Sequence, residues 1–112
     1  MSTPWTLTDA QRAVDEWISQ WDDGYWPALA NLARLTEEVG ELARELNLHH
    51  GPKPPKTGAD APDPDRIADE IGDVLFVLIT LANSLDVDLD QALRAALEKI
   101  GARDAQRFTP KS

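Results

Sequence analysis

Two short stretches of this sequence carry the same acidic pattern. EEVGEL spans 37–42 and DEIGDV spans 69–74, and each reads acid, acid, aliphatic, glycine, acid, aliphatic. At about 100° per residue on a helix, the second and third acids of each stretch border an apolar stripe at matching positions. If the two helices pack antiparallel, four carboxylates converge at one edge of their interface. The four are Glu38, Glu41, Glu70 and Asp73.

Clustered carboxylates cannot all stay ionised unaided, so either some are protonated or cations bind between them. Oxygen-only ligands favour hard ions, with Mg²⁺ foremost and Mn²⁺ as a substitute. The Glu-x-x-His pairs typical of di-iron bundles are absent from both stretches, which argues against redox iron. Glu37 points away from the stripe and is a base at the rim, an extra ligand or an exposed acid. The simpler alternative for all these acids is a solvated face with pairs such as Arg34–Glu38.

Gly40 and Gly72 occupy the same place in the two stretches. Glycine costs roughly 1 kcal/mol relative to alanine inside a helix. Two such costs at matching positions predict a close backbone approach, from helix packing or from direct contact with a ligand.

The pattern predicts an all-α chain of one domain, 1–112, with four helices. They span about 8–21, 27–48, 64–85 and 88–108, with a long proline-rich loop at about 49–63. Thr8 with Gln11, Asp63 with Pro64, and Asp88 with Gln91 are the predicted start signals of the first, third and fourth helices.

Apolar residues at steps of three and four predict the packing stripes of the two central helices. On the second helix the stripe is Leu32, Leu35, Val39, Leu42 and Leu46; on the third it is Ile67, Ile71, Val74, Leu75, Leu78 and Leu85. Phe76, Val77 and Ile79 fall off that stripe, so the third helix is apolar nearly all round. Because three partner helices can hardly cover it, we expect a second subunit to complete the bundle by homo-oligomerisation, with a few exposed apolar residues as the alternative.

Composition excludes several classes of function. The chain of 112 residues has a net charge of −9 and no cysteine, which opposes binding to a nucleic-acid polymer and excludes thiolate chemistry. The longest apolar run, 74–82, is far short of the roughly 20 residues that span a bilayer, so no membrane association is expected. No signal peptide is visible, and a reducing cytoplasm suits the composition. Walker loops, Gly-x-Ser-x-Gly and His-Glu-x-x-His are all absent.

Basic and aromatic residues supply candidates for substrate binding. Cations beside a metal–carboxylate site fit polyphosphate binding, although a solubilising stripe is the alternative. The candidates are Lys53, Lys56, Lys99, Arg103 and Arg107. Trp17 and Trp21 are predicted to be core residues, whereas Trp26 or Trp5 is freer to stack on a base. Asn31 and Asn83 are weaker candidates for recognition.

EEVGE at 37–41 followed by EIGD at 70–73 resembles the Glu-Glu-x-x-Glu … Glu-x-x-Asp signature of the MazG-like nucleoside triphosphate pyrophosphohydrolases, an all-α family. The likeness extends to the GYWP segment, the GPKPPK loop, FVLITLANSLDVDLDQAL and KIGARDAQRF. The gap of 28 residues between Glu41 and Glu70 is at the long end for this signature.

The resemblance implies Mg²⁺-dependent hydrolysis of a nucleoside triphosphate to monophosphate and pyrophosphate, and a homodimer or a homotetramer built as a dimer of dimers. It implies metal ligands at Glu38, Glu41, Glu70 and Asp73, and a catalytic role for Glu37 and Glu38. Removal of unwanted nucleotides is the role that the family suggests. Two alternatives remain at this point: a non-catalytic helical dimerisation or partner-binding module, and a related phosphohydrolase acting on another phosphorylated compound.

Overall fold

A computed structural model describes residues 5–52 and 61–112 of the chain. Within these residues the secondary structure is entirely helical, which confirms the all-α fold class. The helices are α1 (Leu7–Ser19), α2 (Ala28–His50), α3 (Pro64–Ser84) and α4 (Leu89–Asp104). Among the described residues, no helix is both long and apolar enough to cross a bilayer.

The start of α1 differs from the predicted one. Its N-cap is Thr6, whose hydroxyl accepts a hydrogen bond from the Asp9 N–H at 3.0 Å. The Asp9 carboxylate accepts one from the Thr6 N–H at 3.0 Å in return, and this bond holds the pKa of Asp9 below its usual value. The prediction of Thr8 and Gln11 as the capping pair is therefore wrong. A carboxylate at the positive end of a helix is the better partner, and the Gln11 side chain has another role.

The predicted caps of α3 and α4 are present. The Asp63 carboxylate accepts a hydrogen bond from the Asp65 N–H at 2.9 Å, and Pro64 is the first residue of α3. The Asp88 carboxylate accepts one from the Gln91 N–H at 3.2 Å at the start of α4. Short polar side chains satisfy N–H groups that have no partner inside the helix, so these boundaries are set locally.

The main contact of the fold is between α2 and α3, while α1 packs on α3 and α4 packs on α1. The buried residues of α2 are Asn31 and Glu45. They are fourteen positions apart with Glu38 midway, and seven residues are close to two helical turns, so all three lie on one side of α2. The face that α2 turns toward α3 is therefore centred on its acid and not on its apolar stripe.

The predicted stripes are largely exposed in the single chain. On α2, Leu32 and Val39 are both 48% exposed, and on α3 Ile71 is 52% exposed. The buried apolar residues of the described chain are instead Val77, Ile79 and Ala82 on α3. The predicted packing stripes therefore do not form the core of the single chain. Because α3 is apolar nearly all round, its periodicity does not reveal which side its own neighbours cover.

The single chain leaves an unusually large surface in contact with solvent. Its accessible surface is 8900 Å², against roughly 6,100 Å² for a compact monomer of this size. Its radius of gyration is 17.9 Å, against about 13 Å for a compact domain of 100 residues. One copy therefore encloses little core of its own.

Both glycines of the acidic stretches lie on exposed parts of their helices. A Cβ atom added at Gly40 or Gly72 meets no other described atom within 4 Å. The predicted close backbone approach at these glycines is therefore not found among the described residues of one chain.

A polar network holds α1 against the turn between α3 and α4. The Gln11 Nε2 group donates to Asn83 Oδ1 and to the Val87 carbonyl oxygen, both at 2.9 Å. Gln11 Oε1 accepts from the Leu89 N–H at 2.9 Å. One side chain therefore connects three helices, which explains why Gln11 does not act as a capping residue of α1.

Replacing Gln11 with alanine removes these three hydrogen bonds and leaves part-buried polar groups without partners. We expect Gln11→Ala to lower the free energy of unfolding by about 1–3 kcal/mol, measured by urea denaturation. Gln20→Ala is the matched control, because Gln20 bonds only the nearby Trp17 carbonyl oxygen on an exposed surface. Equal stability of the two variants would contradict the role given to Gln11.

Candidate active site

Three of the predicted ligands come together at the contact of α2 with α3. One carboxylate oxygen each from Glu38, Glu70 and Asp73 lies within 4.8 Å of the other two. Glu38 comes from α2, whereas Glu70 and Asp73 are one turn apart on α3. Glu38 and Glu70 are partly buried and Asp73 is exposed. We refer to these three residues as the carboxylate cluster.

The other two acids of the first stretch lie at the margin of the cluster. Glu41 is exposed, and its charge acts on Glu70, but its oxygens are not part of the group within 4.8 Å. Glu37 is exposed, next to Glu38 along the chain. The structure thus gathers three predicted metal ligands closely and leaves Glu41 as a nearby fourth.

Among the described residues, the cluster has no cationic partner. Oxygen Oε2 of Glu70 is buried and has no hydrogen-bond partner, and no ion pair found among the described residues involves Glu38, Glu41, Glu70 or Asp73. Loss of hydration raises the pKa of Glu70, and the neighbouring carboxylates, Asp73 first, raise it further. A cation among these oxygens would remove both costs, so the residues present fit a hard divalent ion.

A buried ion pair lies next to the cluster and was not predicted. Glu45, which is 5% exposed, places Oε2 at 3.4 Å from Arg66 Nε and Oε1 at 3.7 Å from Arg44 Nη1. Arg66 also donates to the Ala61 carbonyl oxygen. The sequence spacing indicates this pair, because Glu45 is seven residues after Glu38 and Arg66 is four residues before Glu70. In an antiparallel pair, both positions lie on the contact face, beyond the cluster.

An aromatic pocket of about 280 Å³ lies on the other side of the cluster, toward the start of α2 and the end of α3. Its lining combines rings with a few polar groups. The main contributors are Trp17, Trp21, Tyr25, Trp26, Asn31, Arg34, Phe76 and Thr80. Asn31 and Thr80 are buried, and Asn31 Nδ2 donates to the Trp26 carbonyl oxygen at 3.3 Å. Apolar walls with a small number of placed polar groups are typical of sites for small organic ligands.

Trp17 on α1 and Trp21 just after it belong to this pocket and not to a core. Trp17 and Trp21 are 54% and 55% exposed, and their rings meet edge to face at 5.4 Å. The prediction that both are core residues is therefore wrong. Their spacing of four residues does bring them together, but the surface they form remains open. Trp26, predicted to be free for stacking, is half exposed on the same pocket.

The side-chain amide of Asn83 forms hydrogen bonds with other residues of the chain. Its Nδ2 group donates to the Gln11 carbonyl oxygen at 2.9 Å and to the Tyr25 hydroxyl at 3.1 Å, while its Oδ1 accepts from Gln11. The Tyr25 hydroxyl donates to Asp15, and burial together with that carboxylate raises the pKa of Tyr25 to about 12. Asn83 therefore helps to position Tyr25, which lines the pocket.

Among the described residues, none of the predicted cations forms an ion pair with the carboxylate cluster. Lys53 and Lys56 fall outside the described residues. Lys99, Arg103 and Arg107 lie on or just after α4, which packs on α1, and Arg103 and Arg107 are paired with Asp104 at 3.0 and 3.7 Å. The cation that does line the pocket is Arg34, which sequence reasoning treated only as a possible partner of Glu38.

The protein is all-α and has a carboxylate cluster beside an aromatic pocket, and comparison with known proteins identifies its family. Residues 27–108 match the MazG nucleotide pyrophosphohydrolase domain, and the chain belongs to that family. It is therefore a nucleotide pyrophosphohydrolase, whose substrate is a nucleotide.

Relatives of known sequence or structure are similar over almost the whole chain. The YpjD protein of Bacillus subtilis (strain 168) is 49% identical over 95% of this chain and 93% of its own length. A dATP/dGTP diphosphohydrolase of Cyanophage S-2L is 31% identical over 93% of this chain and 82% of its own length. The crystal structure of the Bacillus-conserved MazG protein, a nucleotide pyrophosphohydrolase, has a TM-score of 0.77 at 42% identity, covering 95% of this chain and 100% of that one.

The raised pKa of Glu70 predicts how the stability of the metal-free protein depends on pH. The folded chain holds the Glu70 proton at a higher pH than the unfolded chain, so stability falls as pH rises from the ordinary value of 4.5 through the raised pKa. We expect Glu70→Gln, which cannot ionise, to unfold at a higher temperature than the wild type at pH 7 in EDTA. The difference should disappear near pH 4, where the wild-type carboxyl is also neutral.

Thermal unfolding followed by circular dichroism measures this effect. Glu16→Gln on the exposed side of α1 is the matched control and should match the wild type at both pH values. A Glu70→Gln variant no more stable than the wild type at pH 7 would contradict the electrostatic account of the cluster.

Proposed function

We propose that this chain hydrolyses nucleoside triphosphates to nucleoside monophosphate and pyrophosphate, with Mg²⁺ held by Glu38, Glu41, Glu70 and Asp73. The observation that carries the proposal is the buried, unpartnered Oε2 of Glu70 inside a cluster of carboxylates that has no cationic partner among the described residues. A purely structural cluster would be expected to have a cationic partner, as Glu45 has in Arg66.

Mg²⁺ is the preferred ion because every donor is a carboxylate oxygen, and Mn²⁺ is a plausible substitute on the same ground. When bound, the ion neutralises phosphate charge and lowers the pKa of a coordinated water. Glu38 and Glu70 approach from two different helices, so the α2–α3 contact sets the spacing of the ligands. The exposed side of the cluster, at Asp73 and Glu41, leaves room for the phosphates.

The nucleobase is proposed to occupy the aromatic pocket, with Trp26 as a stacking surface. Stacking of a base on an aromatic side chain contributes about 1–3 kcal/mol. Arg34 in the pocket is one turn from Glu38, and Phe76 is one turn from Asp73, so pocket and cluster are adjacent on the same helix pair. A nucleotide can thus place its base in the pocket and its triphosphate on the carboxylates.

In the proposed reaction, water attacks the α-phosphorus. A bond forms between the water oxygen and phosphorus, the bond from the α-phosphorus to the bridging oxygen of the β-phosphate breaks, and pyrophosphate leaves. Glu37 or Glu38 accepts the proton of the water; Glu37 is free at the surface, while Glu38 lies within the cluster. Both assignments fit general-base chemistry by a carboxylate.

The remaining basic residues are proposed as phosphate contacts: Lys53, Lys56, Lys99, Arg103 and Arg107. On substrate binding, Arg103 and Arg107 would leave Asp104 and bind phosphate oxygens instead. This exchange is favourable if the phosphate carries more negative charge than the carboxylate. Since α4 packs on α1, a contribution across a subunit interface suits them best. Asn83 is proposed to act indirectly, by holding Tyr25 in the pocket wall.

Product identification tests the reaction. Incubation with Mg²⁺ and a panel of ribo- and deoxynucleoside triphosphates, including the dATP and dGTP named for the cyanophage relative, should release monophosphate and pyrophosphate. We expect Glu38→Gln and Glu70→Gln each to lower kcat/KM by at least about 100-fold, the scale seen when one group that stabilises the transition state is removed. Glu16→Gln should retain the wild-type rate. Release of orthophosphate, or full activity of the two cluster variants, would refute the proposal.

We also infer that the enzyme is a homodimer or a homotetramer. The exposed apolar residues recur every seven positions on α2, at Leu32, Val39 and Leu46, and they continue on α3 at Ile71, Leu75 and Leu78. Gly40 and Gly72 lie next to these residues and face open space. A second copy packed on this face would bury the stripes, supply the missing core and account for both glycines.

A charge in this face should disrupt the assembly. We expect Val39→Asp to shift the protein toward monomer and to lower its melting temperature, because burying an unpaired carboxylate is costly. Light scattering coupled to size exclusion measures the mass in solution. Ala30→Asp, on the exposed side of α2 about 180° around the helix from Val39, is the matched control and should keep the wild-type mass. A Val39→Asp variant with unchanged mass would refute the interface.

A further inference from the structure

Arg34 lies where the aromatic pocket meets the carboxylate cluster. It is on α2, one turn before Glu38, and it lines the pocket. Its guanidinium carbon is 5.8 Å from the ring centroid of Trp26 and 5.8 Å from that of Phe76. Trp26 precedes α2, and Phe76 is one turn after Asp73 on α3. The guanidinium therefore lies between these two rings, where the aromatic pocket meets the carboxylate cluster.

The charge of Arg34 is not neutralised by a carboxylate of the described residues. The sequence spaces Arg34 and Glu38 as a helical ion pair, yet no described carboxylate lies within salt-bridge distance of Arg34. Arginines elsewhere in the described chain do have such partners, as in Arg12 with Asp9 and Arg94 with Asp90. Two aromatic rings attract the cation without using its N–H donors.

We propose that Arg34 binds the non-bridging oxygens of the α-phosphate and so connects the base pocket to the metal site. This inference rests on the proposed function. With the base in the pocket and the triphosphate on the carboxylates, the α-phosphate is the phosphate nearest the sugar and falls at the junction. A planar guanidinium matches two phosphate oxygens at once, which the point charge of a lysine does not.

The contact between Arg34 and the α-phosphate also stabilises the transition state. Negative charge is redistributed over the non-bridging oxygens of the α-phosphorus as water attacks and pyrophosphate leaves, and a fixed cation lowers the energy of that arrangement. The rings of Trp26 and Phe76 restrict the guanidinium before substrate arrives, so less reorganisation is needed on binding. Arg34 would also stay in contact with the monophosphate product, which retains the α-phosphate.

The test compares ligands that differ only in the phosphate. We expect Arg34→Gln to lower kcat/KM by about 10²–10³-fold and to weaken binding of the monophosphate product by about tenfold or more. Binding of the corresponding nucleoside and of Mg²⁺ alone, both measured by calorimetry, should change less than about twofold. Arg34→Lys should recover part of the rate, and it carries the test if Arg34→Gln does not fold. Arg94→Gln, in an exposed ion pair on α4, is the control and should be fully active.

The outcomes separate this inference from the proposed function. An active wild type with an equally active Arg34→Gln variant overturns the role of Arg34 alone. An equal loss of nucleoside and monophosphate binding also overturns it, because Arg34 would then only shape the pocket. A wild type that releases no pyrophosphate from any nucleoside triphosphate overturns the proposed function and this inference together.

Discussion

Repulsion among carboxylates at the α2–α3 contact is the constraint on which the site depends. Glu38, Glu70 and Asp73 share one small volume, and Glu70 has a buried oxygen without a partner. Two turns after Glu38 on the same face of α2, Glu45 is also buried, but arginines supply its countercharge. The chain thus neutralises one acid internally, while the cluster has no cationic partner among the described residues. If the proposed metal binds there, its binding and the pairing of these two helices are coupled.

The antiparallel pairing of α2 and α3 also sets the order of the subsites. Along the pair run the Glu45–Arg66 ion pair, the carboxylate cluster, Arg34 and then the aromatic pocket. Along α2, Glu45 is two turns from Glu38 and Arg34 is one turn from Glu38, at about 5.4 Å per turn. α1, together with the turn after it, completes the series by bringing Trp17 and Trp21 to the pocket. Its own position depends on Gln11 and Asn83, so residues far from the carboxylates shape the site.

The predictions from sequence were wrong for residues whose side chains fit more than one environment. Val77 and Ile79 were placed off the packing stripe, yet they are the core of the single chain, and the stripe residues Leu32 and Val39 remain exposed. Helical periodicity shows that a face is apolar but not which partner covers it. The same ambiguity affected Trp17 and Trp21, because the rings that suit a core equally suit the wall of a ligand pocket.

By itself, the sequence determined the all-α class, the caps at Asp63 and Asp88, the repeated acidic pattern and the family that this pattern resembles. These features depend on residues a few positions apart, where helical geometry and capping chemistry act locally. Only the tertiary structure decided that α2 meets α3 through the side bearing Glu38, that Glu45 is paired with Arg66, and that Arg34 lies between Trp26 and Phe76. Those relations join residues distant along the chain, and they depend on how each helix is rotated about its own axis. A small rotation of a helix about its axis changes which residues of the other helices its side chains contact, while the sequence pattern along the helix stays the same.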